Sequence, residues 1–190
     1  MKLQYIEEQT FEQLNFKQQP LVQAEYERCT FVNCEFSEVN LSELRFLETE
    51  FIDCNLSNAK LNQTSFQEVL FRNCKMLGLQ FENCNAFRFS ARFERCQLDH
   101  SIFYQMNLQH TYFTDSQLQF VDFSGADLKN VQITNCDLSS ATFEHTNLEK
   151  ADLRNSFNYA INPELNKIKG AKFSLPEVIG LLDKYKIKIE

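Results

Sequence analysis

Apolar side chains recur at every fifth position along most of this chain. One series runs from Ile6 to Phe81 and a second runs from Phe93 to Leu153, and all 29 positions of the two series are apolar or aromatic. A period of five matches neither the 3.6-residue period of an α-helix nor the two-residue period of a strand. The pattern therefore predicts a chain that turns a corner every five residues and directs one side chain inward each time.

The residue two places before each apolar centre is small at most positions. Residues two apart on an extended segment point to the same side, so both point inward and the other three face solvent or form the corner. The cysteines follow this pattern and form no CxxC pair, which indicates buried structural thiols rather than a disulfide framework or a zinc site. All seven occupy the small position or its expected place: Cys29, Cys34, Cys54, Cys74, Cys84, Cys96 and Cys136.

Similar side chains also recur every twenty residues, so four five-residue sides close one coil. The pattern then predicts about seven coils and, at a spacing of about 4.8 Å, a rod of about 34 Å. A helical repeat array is the alternative for a solenoid of this size, but no window shows a 3.6-residue apolar stripe. The columns predict a core stack of Phe11, Phe31, Phe51 and Phe71; of Phe103, Phe123 and Phe143; and of Leu98, Leu118 and Leu138.

This pattern resembles the pentapeptide-repeat family, whose members form right-handed quadrilateral β-helices. The resemblance covers residues 6 to about 155 and includes Ala-Asp-Leu motifs at 126–128 and 151–153. It implies an all-β fold in which residues 1–160 form the β-helix and residues 161–190 form a C-terminal cap. Near the start, Gln4, Gln9 and Gln19 occupy small positions where an amide is poorly satisfied, so we expect an irregular or open first coil.

The five-residue pattern changes phase once, between Phe81 and Phe93. These centres are twelve residues apart instead of ten, which predicts a two-residue bulge within residues 84–92. Ala86 takes the old centre position in this prediction and Arg88 falls on the new one. A structural bulge and a recognition feature are both open interpretations. The segment is expected to place aromatic and basic groups on the surface: Phe87, Arg88, Phe89, Arg92 and Arg95.

The pattern ends after Leu153. Residues 174–177 form a capping-box sequence with Ser174 as the N-cap, which predicts a helix of about ten residues. The alternation of residues 186–189 then predicts a short strand. Quinolone-resistance members of the family dimerise through a terminal helix and strand, and the tail of this chain is similar to theirs. The resemblance implies a homodimer with an interface at Val178, Leu181, Leu182 and Ile187.

The net charge of −7 is unevenly distributed. Residues 1–153 carry 22 acidic and 12 basic side chains, whereas residues 154–190 carry 4 acidic and 7 basic ones. An acidic body argues against direct nucleic-acid binding. The sequence shows no secretory signal and no apolar run of about eighteen residues, so we expect a cytoplasmic protein with no membrane association.

No catalytic constellation is evident in the sequence. The histidines His100, His110 and His145 occupy outward positions in different columns, and no glycine-rich phosphate loop is present. A filled rod also leaves no pocket from which water is excluded. We therefore predict a protein that is not an enzyme and that has no catalytic residues, no cofactor and no metal site.

Two functions are open, and both are protein binding. The family resemblance implies an acidic DNA mimic that binds DNA gyrase or topoisomerase IV and gives quinolone protection. The excess of acidic side chains in residues 1–153 is about half of the roughly twenty charges that B-DNA carries over 34 Å. The alternative is a scaffold for an unrelated partner. Candidate partner-binding residues are Glu25, Glu27, Glu48, Glu68, Phe87, Arg88, Tyr104 and Phe120.

Overall fold

The computed structural model describes residues 4–188 and confirms the predicted all-β solenoid of about seven turns. All strand pairs are parallel, and a strand typically pairs with the one twenty residues later, as Phe31 does with Phe51. Each strand has three or four residues because the chain turns a corner after each short side. The strands are β1 (Gln4–Glu7), β2 (Thr10–Glu12), β3 (Ala24–Glu27), β4 (Thr30–Val32), β5 (Arg45–Leu47), β6 (Glu50–Ile52), β7 (Ser65–Gln67), β8 (Val69–Arg72), β9 (Ala91–Glu94), β10 (Tyr112–Thr114) and β11 (Gln132–Thr134).

The rod has four faces, which we number by their first inward centres: Ile6 for face 1, Phe11 for face 2, Phe16 for face 3 and Leu21 for face 4. Face 1 contains the sheet β1-β3-β5-β7, and face 2 contains the sheet of β2, β4, β6, β8, β9, β10 and β11. Faces 3 and 4 are held together by isolated parallel bridges, such as those that join residue 35 to 55 and residue 102 to 122.

Columns of stacked side chains fill the interior. On face 2, Phe51 lies 4.9 Å from Phe31 and 5.0 Å from Phe71 between ring centroids. These separations follow the spacing of the strands, and rings of adjacent columns meet edge-on, which is a favourable aromatic geometry. Of the expected core residues, only Phe11 is partly exposed. The others are buried: Phe31, Phe51, Phe71, Leu98, Phe103, Leu118, Phe123, Leu138 and Phe143.

Corner residues adopt a left-handed backbone conformation. The residue two places after a centre typically has a positive φ, and 26 non-glycine residues of the described part do so. Asn and Asp tolerate this conformation best, yet Phe120 also adopts it with φ +57°. For such a side chain the conformation costs about 1–2 kcal/mol. The closure of the coil therefore overrides the local preference of the residue.

The described cysteines are all free and buried, as the sequence predicts. Cys34, Cys54, Cys74 and Cys96 stack in the small-residue column of face 3, where the Cys34 N–H donates to the Cys54 Sγ at 3.4 Å. Burial raises the pKa of the Cys136 thiol to about 12. Because the thiolate is the reactive form, Cys136 is an inert packing group.

The first coil is open, as its glutamines predict. Gln4, Gln9 and Gln19 are exposed. Ile6 and Phe11 pack against the core but are only partly buried, because the next coil covers them on one side only.

The phase change is absorbed between Asn85 and Ala91. Strand β8 pairs with β9 so that Phe71 faces Phe93, twenty-two residues later. The expectation that Phe89 lies on the surface is wrong, because it is 4% exposed and meets the ring of Phe81 edge-on at 6.1 Å. The expected centres, Ala86 and Arg88, are exposed instead. Phe89 takes the inward position because burying it is favourable, whereas burying an unpaired guanidinium is costly.

The C-terminal cap differs from the prediction as well. Within residues 4–188 it contains two 3₁₀ turns, Pro176–Leu181 and Asp183–Tyr185, but no α-helix and no strand. Ser174 is not the N-cap, because its hydroxyl accepts the backbone N–H of Asn155 at 2.8 Å and so attaches the cap to the last coil. The predicted strand extends to residue 189, which lies outside the described residues, and its beginning is interrupted by a left-handed Lys186 with φ +50°.

Gly180 lets the cap dock on the rod. Its carbonyl accepts the N–H of Ile161 at 3.1 Å. A Cβ at this position would overlap the backbone carbonyl and the ring of Tyr159. The close approach is therefore open to glycine alone.

Candidate protein-binding surface

The four predicted glutamates lie together on the rod. Glu25 and Glu27 are on β3 of face 1, and Glu48 and Glu68 are at the corner between faces 1 and 2. Two of them form ion pairs, because Glu25 pairs with Arg45 at 3.0 Å and Glu27 pairs with Arg28, which also pairs with Glu7 and Glu8. The exposed Glu48 and Glu68 form no ion pair within residues 4–188.

Glu48 and Glu68 line a groove of about 930 Å³ beside the phase change, which we call the corner groove. Glu50 adds a third carboxylate, and Leu70 contributes an apolar side chain to its wall. The structure therefore brings three of the predicted residues, Glu48, Glu68 and Arg88, to one site. The remaining charged and aromatic side chains that line the groove are Arg92, His110 and Tyr112.

Two arginines of the groove lie over aromatic rings. The Arg88 guanidinium carbon is 5.5 Å from the centroid of Phe87, and that of Arg92 is 5.9 Å from the centroid of Tyr112. Phe87 itself is 65% exposed. The sequence places Arg92 among the surface groups of the bulge but does not group it with Tyr112, although their separation by twenty residues was the available signal for a shared column.

These two arginines differ from the other five in the chain. Within the described residues, neither donates a side-chain hydrogen bond or forms an ion pair. By contrast, four arginines pair with carboxylates and the fifth donates to the side chain of Asn73 at 2.8 Å. The paired arginines are Arg28, Arg45, Arg72 and Arg154.

Hydrogen bonds hold the bulge beside the groove in one shape. The Asn85 side chain donates to the Ser65 hydroxyl at 3.1 Å and accepts the Phe87 N–H at 3.0 Å. Ser90 Oγ accepts the N–H of Glu68 at 2.7 Å. With the Phe89 ring in the core, these contacts fix the shape of the groove in the absence of a partner.

Tyr104 and Phe120 lie away from the corner groove. Phe120 is at the corner between faces 3 and 4, diagonally opposite the groove, where its ring stacks on His100 at 4.8 Å. Tyr104 is on face 4, and its hydroxyl accepts a hydrogen bond from the Gln105 side chain. Both aromatic rings are substantially exposed.

The cap presents apolar side chains to solvent. Three of the four predicted interface residues, Val178, Leu182 and Ile187, are exposed, whereas Leu181 packs against the core. Leu175 is 86% exposed, and Ile179 and Tyr185 extend the same surface.

The carboxylate of Asp152, away from the corner groove, has structural partners. Hydrogen bonds from Arg154 outweigh the effect of burial and hold the pKa of Asp152 below its usual range.

Within residues 4–188, no cluster of His, Cys, Asp and Glu side chains is arranged as a metal site. In the same part of the chain, no helix has the length and apolar character needed to cross a bilayer.

The repeats also match a known family in sequence. A family described as "Pentapeptide repeat region" matches residues 24–90 and 88–157. The chain belongs to the pentapeptide-repeat family. A search of curated proteins by sequence gave no significant match.

Several solved structures share the fold of this pentapeptide-repeat protein. A trypsin-treated form of QnrB1, a plasmid-mediated fluoroquinolone resistance protein, matches with a TM-score of 0.78 and 21% identity over 98% of this chain and 90% of that one. A second trypsin-treated form of QnrB1 matches with a TM-score of 0.66 and 18% identity over 99% of this chain and 98% of that one. HetL from the cyanobacterium Nostoc is involved in regulating heterocyst differentiation. It matches with a TM-score of 0.58 and 16% identity over 88% of this chain and 84% of that one.

Proposed function

We propose that this pentapeptide-repeat protein acts by binding, not by catalysis, and that its partner is a type II topoisomerase, DNA gyrase or topoisomerase IV. Binding would counter quinolone action on that enzyme. The observation that carries the proposal is the fold shared with QnrB1 over almost the whole chain. At 21% identity, the similarity to QnrB1 supports a shared scaffold but not shared contacts with a partner. The proposed contacts therefore rest on the charges of this chain.

The acidic side chains that imitate DNA in this proposal are concentrated in the first coils. Residues 4–80 carry 12 acidic and 6 basic side chains, whereas residues 146–188 carry 5 acidic and 8 basic ones. A basic DNA-binding surface is attracted to the acidic end and repelled from the other, so electrostatics orients the rod. Glu48 and Glu68 carry the attraction because Glu25 and Glu27 are already paired with arginine.

A gyrase supercoiling assay with ciprofloxacin and increasing amounts of this protein tests the proposal. We expect the wild-type protein to restore supercoiling, and a variant with Glu48→Lys and Glu68→Lys to need about tenfold more protein, because two attractive contacts become repulsive. Neither protection nor inhibition by the wild-type protein at micromolar excess would contradict the topoisomerase proposal.

Reversing Glu43 and Glu144 to lysine gives a control with the same change of net charge. Both are exposed side chains associated with face 4, and neither forms an ion pair in the described part of the chain. We expect this control to protect as the wild type does. An equal loss in both variants would show that overall charge matters and would remove the role of Glu48 and Glu68.

A scaffold for an unrelated protein is the second candidate function. Its support is the pair of exposed aromatic side chains, Tyr104 and Phe120, at outward positions away from the corner groove, since aromatic residues are enriched in protein interfaces. Serine at Tyr104 and Phe120 should leave the topoisomerase effect intact and abolish binding to such a partner. The variant with Glu48→Lys and Glu68→Lys should weaken the topoisomerase effect and leave binding to such a partner intact.

We further propose that the protein forms a homodimer through its cap. The support is the exposed apolar surface of Leu182, Ile187 and their neighbours, because a surface of this kind marks an interface. Sedimentation equilibrium should give a dimer for the wild type and a monomer for Leu182→Ser with Ile187→Ser. Leu181 is left unchanged because it packs on the core. An unchanged mass in the variant, or a monomeric wild type, would contradict the cap interface.

A further inference from the structure

The corner groove changes charge along the rod. On face 2, one residue from each successive coil lines the groove, and these residues pair in register on adjacent strands. Glu50 lies beside Leu70, Leu70 beside Arg92, and Arg92 beside Tyr112. Glu50 and Arg92 are two coils apart, which is about 10 Å at the usual strand spacing. The groove is therefore acidic at one end and basic and aromatic at the other.

The opposite charges of the groove do not neutralise each other. Elsewhere on the rod, arginines bridge to carboxylates of a neighbouring coil, as Arg45 does to Glu25 and Arg72 does to Glu94, both at 3.0 Å. In the corner groove, Leu70 separates Glu50 from Arg92 in the ladder. Both ends of the groove consequently keep hydrogen-bonding capacity available for a ligand.

We propose that the corner groove binds an extended segment of a protein partner that carries one acidic and one basic side chain. The acidic side chain faces Arg88 and Arg92, and the basic one faces Glu50 and Glu68. A strand rises about 3.3 Å per residue, so side chains two or four residues apart on one face are about 7 or 13 Å apart, on either side of the distance of about 10 Å between the two ends of the groove. This inference rests on the proposed protein-binding function and specifies the chemistry of the bound segment.

The residue types and their surroundings suit such a segment. A guanidinium binds a carboxylate through two parallel hydrogen bonds, and stacking on Phe87 and Tyr112 already orients these arginines,. Arginine, tyrosine and phenylalanine are also enriched in protein interfaces. Three carboxylates line the same groove and would repel a phosphate backbone, so a protein segment is favoured over a nucleic acid.

A phage-displayed library of random dodecapeptides, selected on the full-length protein, tests the proposal. Counter-selection uses the variant Arg88→Asn with Arg92→Ala. Asparagine is chosen because residue 88 has φ +56°, a conformation that asparagine tolerates. Both side chains are exposed, so we expect the variant to keep the wild-type circular dichroism and unfolding temperature.

The enriched peptides should share an acidic and a basic residue two or four positions apart. Synthetic copies should bind the wild type roughly ten- to a hundredfold more tightly than the arginine variant, as expected for charge-assisted hydrogen bonds. Arg154→Ala, which removes an arginine already paired with Asp152, should bind as the wild type does. Changing the acidic residue of the peptide to glutamine should weaken binding to the wild type and have little further effect on the arginine variant.

Three results would overturn the inference. The first is that no peptide is enriched, the second is that the enriched peptides bind the arginine variant equally well, and the third is that a labelled single-stranded oligonucleotide binds more tightly through the same arginines. The supercoiling assay separates this inference from the topoisomerase proposal. Arginine-dependent peptide binding without protection refutes only the topoisomerase partner, whereas protection without such peptide binding refutes only the groove.

Discussion

Replacing Phe51 by alanine is expected to lower the free energy of unfolding by about 3–5 kcal/mol. Phe51 is fully buried and lies between Phe31 and Phe71 in the column of face 2. It also meets Phe46 and Phe36 edge-on at 5.2 and 5.6 Å. Removing the ring therefore opens a cavity that coils on both sides cannot close, because each coil is fixed by its ladder of parallel hydrogen bonds.

Chemical denaturation followed by circular dichroism measures this loss. Phe51→Leu keeps most of the buried volume and should cost less than half as much. Phe120→Ala removes an exposed ring and should change stability by no more than about 0.5 kcal/mol. A loss below about 1 kcal/mol for Phe51→Ala would mean that the ring is not in the core, and the description of the interior would then be wrong.

Replacing Phe89 by alanine is expected to cost a similar amount, about 3–5 kcal/mol, whereas Phe87→Ala should cost about 0.5 kcal/mol or less. The two residues lie in the same bulge and differ in burial, with Phe89 4% exposed and Phe87 65% exposed. Phe89 packs against Phe66 and Phe81 and closes the core where the coil contains two additional residues. The comparison therefore tests directly which aromatic ring enters the interior.

Chemical denaturation of the Phe89→Ala and Phe87→Ala variants shows which of the two rings is buried. Equal losses, or a larger loss for Phe87→Ala, would reverse the assignment of the inward residue. The groove prediction depends on this result as well, because an inward Phe87 would not be available to orient Arg88.

The regular part of the fold is readable in the sequence because every coil repeats the same local requirement. Phe31, Phe51 and Phe71 recur at twenty-residue intervals, and the structure stacks them at about the spacing of parallel strands. Gln4 and Gln9 mark the open first coil for a similar reason, because an amide in an inward position has no partner there.

The bulge and the cap could not be read in this way. Counting residues assigns the new inward position to Arg88, but the choice depends on the free energy of burying each neighbouring side chain, and Phe89 is favoured. At the cap, the local sequence assigns Ser174 to a helix N-terminus, yet the last coil offers the N–H of Asn155 to its hydroxyl. Both outcomes depend on groups that are distant in sequence.

The candidate surface shows the same division. The sequence identifies Glu48, Glu68 and Arg88 as candidate binding residues, whereas the pairing of Glu25 with Arg45 and of Glu27 with Arg28 is established by the structure. Arg92 and Tyr112 pair on adjacent strands after the bulge, whereas placing Glu50 and Leu70 in the same ladder required the register across the bulge.

By itself, then, the amino-acid sequence determined the coil, its four faces, its buried columns and the outward placement of its charges, because a five-residue period has one compact solution. The tertiary structure alone decided which side chain fills the interior at the phase change, how the cap docks and which charges are left unpaired. These depend on distances between coils and on competition for burial, which no local pattern encodes.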